Sequence, residues 1–185
     1  MGSVTLYRDG RPLLIDVGVE TYSKKTFSPQ RYEIWTMQSG WHNLPQFDPD
    51  GAKYDQQPGA AFAAADVTVT DALDGLAMDL APAYGSVPGL GRYRRSVHLT
   101  DTGLTLHDET DYPGTVALTL MSVEKPAVDG DTVAFGALAA AAVTGADKIV
   151  TEAVPITDPR LRQAWPDTLY RTRIYFTQQL SLVIE

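Results

Sequence analysis

His42 sits between Trp41 and Asn43, with Pro45 close behind, in a stretch crowded with rings and amides. An imidazole exchanges a proton near neutrality, its unperturbed pKa being about 6.5. A neighbouring carboxamide offers a donor and an acceptor in fixed geometry. This pairing suits proton transfer or charge stabilisation at a polar substrate. Tyr22, Lys24, Lys25, Arg31, Tyr32, Trp35 and Gln38 precede it closely. Flat rings cover the apolar faces of sugars, while amides and arginines read hydroxyls and carboxylates. His42 is therefore the candidate catalytic residue, and Tyr22, Arg31, Gln38, Trp41 and Asn43 are candidate substrate contacts. Lys24, Lys25 and Arg31 against Glu20 and Glu33 make the stretch locally positive, which suits a carboxylate ligand. The alternative is that these rings simply pack a long loop.

Other chemistry finds less support. His98 lies on a strand among arginines and reads as a solvated sheet-face residue, and His107, before Asp108 and Glu109, reads as an exposed strand end. No HxH, HExxH or HxxE spacing marks a metal site, and Asp16, His42 and His98 meet only if tertiary folding brings them together. Asp48-Pro49-Asp50-Gly51 hints at a calcium loop, but the other loop positions are absent, so it reads as a turn. The glycines of Gly85–Gly91 lack the lysine and strand-to-helix context of a phosphate loop. Neither a GxSxG elbow nor a facing carboxyl pair for glycoside hydrolysis stands out.

The elements that must hold such a site follow a period of two. Val4–Arg8 and Leu13–Val17 flank Asp9-Gly10, a strong hairpin signal because both turn residues tolerate positive φ. Phe62–Thr70, Leu76–Leu80, Tyr93–Leu99, Leu104–Asp108, Thr115–Ser122, Thr132–Phe135, Lys148–Val154 and Thr168–Val183 also read as strands, separated by turn residues. Tyr93, Arg95, Val97 and Leu99 share one face of theirs. Residues 21–60 resist a strand reading. Ala134–Ala146 has seven alanines in thirteen residues; propensity favours helix, yet Gly136 and Gly145 tilt the reading to small-residue strands. The sum is an all-β, two-layer antiparallel sandwich.

Composition agrees. The 185 residues suit one domain. A formal charge of −8 argues against a general nucleic-acid surface. The longest apolar run is too short to span a bilayer. The absence of cysteine removes disulfides, thiolate zinc sites and cysteine nucleophiles. Met1–Thr5 contains no apolar secretory core, and the pattern opens in mid-strand, which reads as a piece of something longer. The compartment stays open between bacterial periplasm, exterior and cytoplasm.

In order along the chain, Pro12-Leu-Leu-Ile-Asp16-Val-Gly18, Thr21-Tyr22, Arg31-Tyr32 and His42-Asn43 resemble the opening of the C-terminal β-sandwich domain of heparinase II/III-like polysaccharide lyases. Arg94-Arg95-Ser-Val97 with Asp108-Glu109 resembles that domain's central sheet. Asp158-Pro-Arg160-Leu161, Trp165 and Leu169-Tyr170-Arg171 resemble its closing segment. The resemblance implies a supersandwich-like domain, residues 1–185, cut from a larger lyase whose N-terminal helical toroid is absent.

It further implies β-elimination on uronic-acid-containing polysaccharides such as glycosaminoglycans. A base takes the proton α to the carboxylate, an acid protonates the leaving oxygen, and an amide or metal neutralises the carboxylate. His42 then matches the histidine this domain gives to the cleft. No cofactor is read with certainty, although the resemblance leaves room for a divalent cation, zinc or calcium. Val17 departs from the proline usual after the aspartate, and Leu44-Pro45 from the usual Thr-Val, so the substrate stays open. The rival expectation is a non-catalytic carbohydrate-binding or structural sandwich.

Overall fold

The computed structural model describes residues 1–57, 67–70 and 74–185. Among them the period-two pattern becomes twelve strands: β1 Leu6–Arg8, β2 Arg11–Leu14, β3 Pro45–Phe47, β4 Val67–Val69, β5 Gly75–Asp79, β6 Tyr93–Leu99, β7 Leu104–Thr110, β8 Val116–Ser122, β9 Pro126–Asp129, β10 Thr132–Phe135, β11 Ala139–Pro155 and β12 Thr168–Ile184. Helical structure among the described residues is confined to short 3-10 turns. All pairings are antiparallel. The fold is all-β.

β1 and β2 form the hairpin that Asp9-Gly10 announces, with φ of 51° and 74° at the two turn residues. The other ten strands form one sheet, ordered β4-β5-β6-β7-β12-β11-β10-β9, with β8 beside β12 and β3 beside β8. A single edge of β12 serves two partners. Tyr170–Phe176 pair with β8, whereas Gln179–Ile184 pair with β7. Between these stretches Gln178 has φ 84°, and on β11 Gly145 has φ 89° next to shifts in register. A Cβ at Gly145 would lie 2.5 Å from the Gln179 carbonyl oxygen, so only glycine fits this corner. The long strands bend here and the sheet folds over itself. Its two halves form the open sandwich that the alternation predicts.

Leu104, Leu106, Leu180 and Leu182 from the larger layer meet Val116, Leu118, Leu120, Ile174 and Phe176 from the smaller. Each such buried side chain contributes about 1.5–3 kcal/mol. Phe47 lies edge-on to Tyr84, Tyr93 and Tyr112 at 4.9, 5.5 and 5.1 Å, geometries worth about 0.5–1.5 kcal/mol each beyond area. β8 is buried along its whole length. One face meets the core, and its other face lies beneath residues 15–44. Small side chains allow that approach: Thr119 Oγ1 donates to the Gly40 carbonyl at 3.3 Å, and Thr119 N to that of Leu44 at 3.1 Å.

Some expectations change. The alanine-rich segment is indeed strand, in β10 and β11. The strand at Leu13 stops at Leu14, freeing Asp16 from the ladder. β3 falls inside the stretch that read as loop, and β9 was not anticipated. Of the expected strand Phe62–Thr70, residues 62–66 lie outside the described residues, and Val67–Val69 is strand. His107 is mid-strand rather than terminal, bonded through Nδ1 to Ser181 Oγ at 2.7 Å. Asp108, expected in an exposed acidic end, is fully buried.

Candidate functional site

Pro29, Gly40 and the lack of an apolar repeat at 3.6 residues keep residues 25–41 from forming a long helix. They make four 3-10 turns instead, Lys25–Phe27, Pro29–Glu33, Trp35–Met37 and Ser39–Trp41. Ser28 starts the second, its hydroxyl accepting from Gln30 N at 3.1 Å. The last turn delivers His42 in extended conformation. Asp16 approaches from the other side, where its Oδ1 accepts from Gly18 N at 2.9 Å.

His42 Nδ1 lies 2.9 Å from Asp16 Oδ2, and Nε2 lies 3.0 Å from the Thr36 carbonyl oxygen. Both partners are acceptors, so the two hydrogen bonds coexist only in the imidazolium. The hydrogen bond from His42 holds the Asp16 carboxyl below its ordinary range, outweighing partial burial. The His42 side chain is 21 % exposed and that of Asp16 43 %. They border a cavity of about 310 Å³ with Tyr32, Met37, Gln56 and Gln57. Those last four residues also line an adjoining hollow of about 330 Å³, together with Gln38 and Asp55. Burial pushes the Asp55 carboxyl up, although Gln46 and the Gly40 amide donate to it. Two larger hollows, about 680 and 430 Å³, flank the β1–β2 hairpin and contain no histidine.

The other expected contacts separate. Gln38 lines the second hollow and donates to the Tyr32 carbonyl at 3.0 Å. Arg31 lies over the Tyr32 ring and reaches Met37 Sδ at 3.8 Å, at the rim. Tyr22 is displaced from the groove's lining. It is 55 % exposed, edge-on to Phe27 at 5.5 Å and beneath Arg160 at 4.6 Å. Trp41 is occupied on one face, with the Arg171 guanidinium 3.6 Å from its ring centroid and Trp35 edge-on at 5.0 Å.

Asn43 turns inward at 1 % exposure. Its Nδ2 donates to the carbonyls of Val4 and Ile15 at 2.6 and 3.1 Å, and its Oδ1 accepts from Met121 N at 2.7 Å. The carboxamide expected to read substrate ties the scaffold together instead. The local positive charge is also reduced, because Lys25 pairs with Glu33 at 2.7 Å, and Asp16 and Asp55 enter the groove.

A divalent cation does not fit this arrangement. Asp16 and His42 spend their facing atoms on each other, and the Thr36 carbonyl faces the second ring nitrogen. His98 pairs with Asp74 at 3.3 Å and does not join Asp16 and His42. Among the described residues no three His, Cys, Asp or Glu are grouped to hold a metal.

Sequence reasoning missed Arg95 and Asp108, which lie directly behind the site with no side-chain exposure. Arg95 Nε and Nη2 donate to Asp108 Oδ1 and Oδ2 at 2.8 and 2.7 Å, and Tyr93 OH donates to Oδ2 at 2.6 Å. Burial opposes the Arg95 charge, but the Asp108 carboxylate outweighs it and holds the guanidinium charged. The available signal was an arginine on the Tyr93–Val97 face, a charge on a strand's apolar side.

No protein-family model and no curated protein matches this sequence. Solved structures do match, among them heparinases and a heparan sulfate lyase. Heparinase III aligns with a TM-score of 0.61 at 19 % identity, over 99 % of this chain and 29 % of that one. Another heparinase III aligns at 0.63 with 16 % identity over the same shares. A mutant heparan sulfate lyase from Pedobacter heparinus aligns at 0.59 with 14 % identity, over 99 % and 30 %. The chain thus has the fold of a part of these lyases, spanning about three-tenths of their length. The fold implied by the residues around Asp16 and His42 is the fold it has.

Proposed function

We propose that this chain is the sandwich domain of a larger polysaccharide lyase and forms one wall of its cleft. The reaction is β-elimination on a uronic-acid-containing glycan. A base removes the proton α to the uronate carboxylate, the electron pair forms a ring double bond, and the glycosidic C–O bond breaks as its oxygen is protonated. Excess charge gathers on the uronate carboxylate as that proton leaves, and a fixed positive charge beside it lowers the barrier. His42, whose ring nitrogens face Asp16 and the Thr36 carbonyl, is the group proposed to supply that charge. The base and acid come from the proposed N-terminal helical domain of the same protein. Gln38 and Arg31 meet the saccharide along the groove, with Tyr22 and Trp41 at its margins and Asn43 as their support.

The observation that carries this reading is the Asp16–His42 pair, half open to a groove in a domain folded like part of heparinase III. The test is incubation of the intact protein with a panel of uronate polymers while following absorbance of the unsaturated product. Accumulation on at least one polymer is expected. Absence of product on all of them contradicts the proposal.

A second reading, a non-catalytic carbohydrate-binding module, draws on the Tyr22–Phe27 pair, because Phe27 is 78 % exposed beside Tyr22, whose ring lies under Arg160. Calorimetry of this chain with uronate oligosaccharides separates the two. The module predicts affinity that falls in Tyr22→Ala and ignores His42→Ala; the lyase wall predicts sensitivity to His42.

A further inference from the structure

We propose that Arg95 is a positioning residue for the Asp16–His42 pair, acting through Asn43; this deepens the reading of His42 as the site's imidazole and rests on it. Arg95 and Asp108 stand opposite each other on β6 and β7. Two guanidinium nitrogens grip the carboxylate, while the third, Nη1, donates to the Asn43 carbonyl at 2.9 Å and to that of Gly2 at 2.8 Å. The guanidinium thus fixes the residue that follows His42 in the chain.

Asn43 passes the constraint on. Its carboxamide donates to the carbonyl of Ile15, the residue before Asp16, and accepts from Met121 on β8. Asn43 therefore carries both restraints: its buried side chain holds the peptide beside Asp16, and its backbone carbonyl, next to His42 in the chain, is held by Arg95. The planar fork is required here, because a lysine ammonium is a point charge that cannot hold a carboxylate bidentately and two carbonyls at once.

Burial supports a directional role over a purely stabilising one. Arg95 and Asp108 are both fully buried, and a buried ion pair is often no more stable than well-packed apolar residues of the same volume. What such a pair supplies at this place is geometry. Tyr93 serves as an internal control, since its hydroxyl donates to Asp108 without touching Asn43.

The test is proton and nitrogen NMR of the histidine side chains in this chain. The parent should show a low-field Nδ1–H resonance, assigned by its loss in His42→Gln. Arg95→Lys keeps the charge but not the fork, and should lose that resonance or shift it towards the solvent-exposed position. Tyr93→Phe should retain it. Should Arg95→Lys fail to fold, Arg95→Met with Asp108→Leu removes both charges together and should lose the resonance in the same way. Retention of the parent signal in either Arg95 variant overturns the proposal, as does equal loss in Tyr93→Phe. The readout comes from the chain without substrate, so it fails or holds independently of whether the intact protein is a lyase.

Discussion

Asp16 and His42, far apart in sequence, meet side chain to side chain at 2.9 Å on the wall of a polar groove. A carboxylate against one imidazole nitrogen fixes the ring's orientation, as carboxylates do in catalytic His–Asp pairs. Here the second nitrogen is also occupied, by the Thr36 carbonyl. Both ring nitrogens therefore face acceptors and neither is free to take a proton from a substrate, and that distinction shapes the predictions.

The pair should leave a signature in stability against pH. His42 lowers the Asp16 carboxyl, so the folded state binds that proton less readily than the unfolded state, whose value is about 3.9. The contribution is full above the unfolded value and is lost as pH falls through the folded one. Asp16 is 43 % exposed, which limits the effect to about 1 kcal/mol or less. Thermal unfolding of the parent and Asp16→Asn should differ at about pH 6 and converge as pH falls below the unfolded value of about 3.9 and through the lower folded one. A gap that widens with acid contradicts this assignment.

Removing one member of the buried pair should be far more damaging. Asp108→Ala leaves the Arg95 charge without its carboxylate in a fully buried place, at a cost of about 3–5 kcal/mol. Arg95→Met with Asp108→Leu should lie much closer to the parent. Urea unfolding midpoints measure both. An Asp108→Ala variant as stable as the parent would show that the pair is not enclosed as described.

The corner between the layers gives a third expectation. Gly145 combines a φ of 89° with a Cβ position 2.5 Å from a backbone oxygen, and strain of this kind costs about 1–3 kcal/mol before the clash is counted. Gly145→Ala should therefore destabilise by about 2 kcal/mol or more. Gly130→Ala is the comparison, since it also has positive φ but open space around it, and its loss should be smaller. Equal losses at both positions contradict the close approach.

Strands with one wet face were readable from the residues, and Tyr93–Leu99 and Thr132–Phe135 have the bounds their alternation gives. β3 was hidden because three residues beginning with proline carry no period, and pairing with β8 alone makes them a strand. The corner was hidden for a different reason. Gly145 reads as a separator between strands, whereas it is a bend within one 17-residue strand. At the site, Asp16 and His42 were both visible as residue types, but their contact depends on where β2 stops. Asn43 drew attention for its amide, yet nothing local indicates that it points inward. Arg95 and Asp108 become a pair only through the β6–β7 register.

Turnover by the intact protein, with and without the His42 imidazole, tests the central claim most directly. Initial rates of unsaturated uronate formation should fall by about 100-fold or more in His42→Ala, the scale expected when preorganised stabilisation of developing charge is removed. The fold should persist, because the side chain is only partly buried and Asn43 still holds the adjoining peptides. Undiminished turnover in a folded His42→Ala protein would contradict the account.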